Sequence, residues 1–126
     1  MNQLISEFTK NIEKEFRTGK ATEHTYRPAV KSLIESINNK VTAINEPKRQ
    51  KVGAPDFVFQ KNKIPVGYAE MKDIDEDLDL FFQTGANNKQ FERYMELGNI
   101  FISNHLDFIF YKNGKEYQRL SIGKLE

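Results

Sequence analysis

Leu4, Ile5, Phe8, Ile12 and Phe16 recur at helical spacing, which predicts an amphipathic helix over residues 3–17 with Gly19 as its stop. Tyr26, Val30, Leu33, Ile34 and Ile37 form a second stripe and predict a helix over 25–38. Pro28 is tolerated there because it falls in the first turn. Short strands are expected over 41–46, 56–60 and 66–72, with Lys61-Asn62-Lys63 turning the last two into an antiparallel pair. A short acidic helix is expected over 75–82. Gly85-Ala86-Asn87-Asn88 reads as a break, and a further helix runs through Phe91, Tyr94, Met95 and Leu97 to Gly98. Residues 99–103 are mostly apolar, as in a strand buried on both faces. Residues 108–111 form another strand, and Asn113-Gly114 predicts a hairpin into 116–122. The order is helix, helix, three strands, helix, three strands: an α/β domain with one central mixed sheet flanked by helices.

Composition narrows the classes. A chain of 126 residues is expected to be one domain, and it buries roughly two-thirds of its unfolded surface. Hydrophobic content of 38% and aromatic content of 12% mark a globular chain. The net charge of +1 supplies no global field for nucleic acid, so any such contact must come from local patches. With no cysteine, disulfides and thiolate zinc sites are excluded, and His24 and His105 alone make a histidine zinc site improbable. No apolar run approaches the ~20 residues of a membrane span, and Met1-Asn2-Gln3 does not open a signal peptide. The lack of cysteine fits a reducing cytoplasm.

Charge on the expected strands is the feature that suggests chemistry. Period-two alternation puts Glu70 and Lys72 on one face and turns Ala69, Met71 and Asp73 to the other. A hairpin folded at 61–63 brings Asp56 opposite a position near Glu70. Two carboxylates so close repel unless a cation lies between them. Mg²⁺ suits such a site, with Asp56, Glu70 and the Met71 backbone carbonyl as ligands. Lys72 would orient water and neutralise charge on a phosphate under attack. On spacing alone, a structural cluster in which the lysine neutralises two acids fits equally well.

Pro55-Asp56 followed by Glu70-Met71-Lys72 resembles the signature of the PD-(D/E)XK nuclease superfamily, and the element order resembles its restriction-endonuclease-like core. Thr22-Glu23-His24-Thr25-Tyr26-Arg27-Pro28, Asn45-Glu46-Pro47-Lys48-Arg49, Gly53-Ala54-Pro55-Asp56 and Gly67-Tyr68-Ala69-Glu70-Met71-Lys72-Asp73 look more specifically like the N-terminal nuclease module of large single-chain restriction–modification enzymes. The resemblance implies a Mg²⁺-dependent endodeoxyribonuclease, with Mn²⁺ able to substitute, acting on double-stranded DNA in a bacterial or archaeal cytoplasm. It also implies methyltransferase and target-recognition domains in the same polypeptide, this chain being an N-terminal piece, and a dimer or second copy for double-strand cleavage.

The resemblance assigns further residues. Glu23 would join the metal site, where the residues alone suggest only an acid at a helix start. Gln90 and Tyr94 match a QxxxY pattern and face one way from a helix, so Gln90 would shape the site and Tyr94 would help hold the DNA strand or the lysine. A solvated glutamine and a core tyrosine are the plain alternative. Lys48, Arg49 and Lys51, with Lys61 and Lys63, are candidates for a phosphate-binding rim, and His24 and Arg27 for DNA contact; solvated surface roles compete with both. The acidic run from Asp73 to Asp79 lacks the glycine and glutamate of a calcium loop and reads as a helix start. Rival functions are a non-cleaving nucleic-acid-binding module of the same fold, a domain whose charges form a surface network, and a junction-resolving repair nuclease.

Overall fold

A computed structural model describes residues 2–21, 25–45, 55–83 and 85–124. Among them six strands form one sheet in chain order: β1 (Val41–Asn45), β2 (Phe57–Lys61), β3 (Ile64–Met71), β4 (Asn99–Ser103), β5 (Asp107–Lys112) and β6 (Lys115–Ser121). Neighbours are antiparallel except β3 and β4, which run parallel. Tight turns cannot join parallel strands. The chain therefore crosses between them through α3 (Leu78–Phe81) and α4 (Gly85–Tyr94).

The hairpins follow from their turn residues. Lys61 pairs with Ile64 across Asn62-Lys63, and Lys112 with Lys115 across Asn113-Gly114. All four turn residues have positive φ, the conformation that matches two-residue turns to strand twist. β3 begins at Ile64, earlier than the expected Val66. Pro65 is accommodated there because the β2–β3 register shifts at Phe59/Gln60 and β4 pairing begins only at Tyr68.

The helices cover the two faces separately. α1 (Asn2–Arg17) and α2 (Arg27–Ile37) lay Phe8, Ile12 and Val30 onto Phe57, Phe59, Ala69, Met71 and Phe101. On the other face Leu78, Phe82 and Phe91 pack with Ile102, Ile109 and Tyr111. The Gly85–Asn88 segment, expected to break the chain, instead opens α4, where the Asn88 amide donates to the Phe82 carbonyl (3.0 Å). Past Tyr94 the bonding tightens, with Glu96 and Leu97 N–H groups donating to Arg93 and Tyr94 carbonyls, so α4 stops short of Gly98. The acidic segment behaves as a helix start: Asp77 caps α3 by accepting from the Asp79 and Leu80 N–H groups (2.9 and 3.2 Å). Among the described residues no helix is long and apolar enough to cross a membrane.

Candidate active site

The β2–β3 register pairs Phe57 with Ala69, so one step further Asp56 faces Glu70. At that step side chains take over the ladder. The Met71 N–H donates to Asp56 Oδ2 (2.7 Å), and the Asp56 N–H donates to Glu70 Oε1 (3.1 Å). Both carboxylates are thereby locked to the backbone at the end of two adjacent strands. On the far side of β3, the Lys72 N–H donates to the Ser103 carbonyl of β4 (2.8 Å). That peptide is trans, so the Met71 carbonyl points the opposite way, toward the Asp56 side.

Alternation carries Lys72 to the same face as Glu70. Its ammonium donates to Glu70 Oε2 (3.1 Å) and to Gln90 Oε1 on α4 (3.2 Å). It also lies 4.4 Å from the ring centroid of Phe81 and 5.5 Å from that of Phe82. Glu70 and Lys72 are only 5% and 8% exposed. Asp73 goes the other way, toward Tyr26 and the α1–α2 layer.

The charges are paired, Glu70 with Lys72 and Asp56 with Arg27, but Glu70, Lys72 and Arg27 are buried. Burial first, and then the Asp56 charge, push the Glu70 carboxyl up to about 7, with Lys72 only partly offsetting them. Arg27 answers Asp56: its guanidinium donates to Asp56 Oδ1 (2.5 Å). Tyr94 lies under Glu70, where burial and the Glu70 charge beside its hydroxyl drive its pKa upward. His105 is fully buried against Tyr26 (4.7 Å between rings), and burial pushes its imidazole down to about 4.

The sequence-selected residues separate clearly. Asp56, Glu70, Lys72 and Gln90 come together at one end of the sheet. Arg27, expected as a surface DNA contact, is instead 3% exposed and joined to Asp56, because the start of α2 abuts the start of β2. Tyr94 is 2% exposed, so its side chain supports the site from below and does not reach DNA. Lys61 and Lys63 lie at the opposite end of β2, about 15 Å away by strand rise, and cannot join a rim beside Asp56. Glu23, His24, Lys48, Arg49 and Lys51 lie outside the described residues. Phe81 and Phe82 carried no sign of their place beside Lys72: in sequence they are two apolar residues of a short helix.

A divalent cation suits this donor set. Among the described residues no group of three or more His, Asp or Glu side chains converges. Two carboxylates and a backbone carbonyl remain, enough for an ion that keeps several waters. Burial and then the Asp56 charge disfavour the Glu70 carboxylate, and a cation between the two carboxylates would offset both.

No family model and no curated protein matches the chain. The fold is similar to the solved structure of a DrdV–DNA complex, with a TM-score of 0.80 and 24% identity, covering 98% of this chain and 88% of that one. The six-stranded mixed sheet between helices is restriction-endonuclease-like.

Proposed function

We propose that this chain is a Mg²⁺-dependent endodeoxyribonuclease domain of the PD-(D/E)XK type, working within a restriction–modification protein. One observation carries the reading: Asp56, Glu70, Lys72 and Gln90 meet at adjoining strand ends, bound to one another rather than scattered. The similarity to a protein solved with DNA supports double-stranded DNA as the partner. Methyltransferase and target-recognition domains in the same polypeptide, a second copy for double-strand cleavage and a cytoplasmic setting belong to the same proposal.

Asp56, Glu70 and the Met71 carbonyl would hold the ion, with Glu23 joining them. When bound, Mg²⁺ supplies an acidified water and polarises the phosphoryl oxygen. The chain's own residues do the rest. Lys72 orients the attacking water and offsets charge on the phosphate in the transition state. Gln90 and Glu70 fix the ammonium, so that no reorganisation is needed during reaction. Arg27 and the Met71 N–H hold the Asp56 carboxylate in one orientation. Cleavage would leave a 5′-phosphate and a 3′-hydroxyl.

The test is nicking of supercoiled plasmid by the full-length protein in Mg²⁺. Asp56→Ala and Lys72→Ala should each lower the rate by on the order of a thousandfold, with an unchanged far-ultraviolet circular dichroism spectrum. Undiminished cleavage by either folded variant sinks the assignment.

A further inference from the structure

The helix α3 is four residues long, too short to hold its place alone. It is nevertheless fastened at several points. Asp77 caps it, the Asn104 amide donates to the Glu76 carbonyl just before it (2.8 Å), and Arg119 of β6 grips Asp79 with two bonds (2.7 and 3.0 Å). Behind it runs a chain of rings: Phe81 edge-on to Phe82 (5.0 Å), Phe82 to Phe91 (5.2 Å), and Phe91 edge-on to Tyr111 of β5 (5.5 Å). Leu78 and Phe82, each 7% exposed, fill the core on this face. Phe81 packs at the margin of that core, and its ring is the nearer of the two to the Lys72 ammonium, at 4.4 Å.

We propose that Phe81 is a positioning residue for Lys72, its ring holding the ammonium between Glu70 and Gln90 through a cation–π contact. This rests on the nuclease reading above. Glu70 and Gln90 each accept one of the three ammonium protons. An aromatic face attracts the cation without demanding a proton, so it fixes the lysine while leaving the third donor for water or phosphate. An acceptor oxygen in the same place would consume that donor. The anchoring of α3 then has a purpose beyond packing, since it sets where the ring sits.

The experiment compares Phe81→Tyr and Phe81→Leu in the full-length protein by two readouts. The first is the plasmid-nicking rate in Mg²⁺. The second is the Lys72 ε-methylene proton resonance, in protein carbon-13-labelled at lysine and assigned with Lys72→Arg. Protons close to an aromatic face resonate upfield. Phe81→Tyr keeps the face and should retain both the upfield position and the rate. Phe81→Leu should move the resonance downfield, toward that of solvated lysines, and slow nicking about tenfold. Should the leucine variant not fold, Phe81→Met gives the same comparison. An unmoved Lys72 resonance in the leucine or methionine variant overturns the proposal, as does an unchanged rate, or a tyrosine variant as slow as the leucine one. If the unaltered protein cuts no DNA, the nuclease reading falls, and the resonance alone decides whether the ring holds the lysine.

Discussion

Ala69 and Met71 face one side of the sheet; Glu70 and Lys72 face the other, and all four are buried. Ala69 and Met71 sit in an apolar layer with Phe57, Phe59 and the α1–α2 stripe, where each buried area stabilises the fold. Glu70 and Lys72 are hidden almost as deeply but face charge, and their burial is offset by hydrogen bonds to Asp56, Gln90 and each other. Equal burial thus has opposite consequences on two sides of one strand. Ala69 and Met71 add to the apolar core on the α1–α2 side. On the other side the burial of Glu70 carries an energetic cost, which raises its pKa.

The largest effect should come from breaking the apolar side. Phe57 is fully buried and stacked on Phe59, so Phe57→Ala should destabilise the protein by about 3–5 kcal/mol in urea unfolding. A loss below ~1 kcal/mol would show that this layer is not where stability resides.

The charged side makes a smaller, pH-dependent prediction. Glu70 is shifted up from 4.5 to about 7, so its contribution is complete below pH 4.5 and lost as pH rises through 7. Without divalent cations, the stability of the unaltered protein relative to Glu70→Gln should fall by on the order of 2 kcal/mol between pH 4.5 and 7.5. His105 is shifted down from 6.5 to about 4, so its contribution is present above pH 6.5 and lost as pH falls through 4. Between pH 4.5 and 6.5 the two slopes oppose each other. Removing the Glu70 slope should leave Glu70→Gln visibly gaining stability as pH rises over that range. Parallel pH–stability curves for the two proteins would mean that Glu70 carries no buried charge.

The smallest effect concerns the rim of the charged side. Asp79 and Arg119 are bonded twice, yet their side chains are 61% and 47% exposed. Asp79→Ala should therefore cost less than ~1 kcal/mol, and less still in high salt. A loss above ~2 kcal/mol would place this pair among the main supports of the fold.

Much of this architecture was legible in the chain because neighbouring residues decide it. The apolar stripes of Phe8 and Ile12 in α1 and of Val30 and Leu33 in α2, the Asn113-Gly114 turn and the 99–103 strand are local patterns, and the elements follow them closely. The Asp56, Glu70 and Lys72 set was legible for the same reason: alternation and hairpin geometry bring those side chains together. The Gly85–Asn88 segment misled because residues that favour turns also favour helix starts, and contact with Phe82 selected the helix. Arg27 misled because a polar side chain in a helical pattern carries no mark of the partner that will bury it.

Alternation along β3, and the turn that sets its register with β2, were thus determined by local chemistry, and with them the pairing of Asp56 with Glu70. The surroundings of that pair were decided by packing. The start of α2 brought Arg27 to Asp56, α4 brought Gln90 to Lys72, and α3 brought the Phe81 ring beside the same ammonium. Backbone alternation reaches only along a strand and across its hairpin. Contacts between residues far apart in the chain depend on how whole layers settle against one another, which no short stretch of sequence encodes.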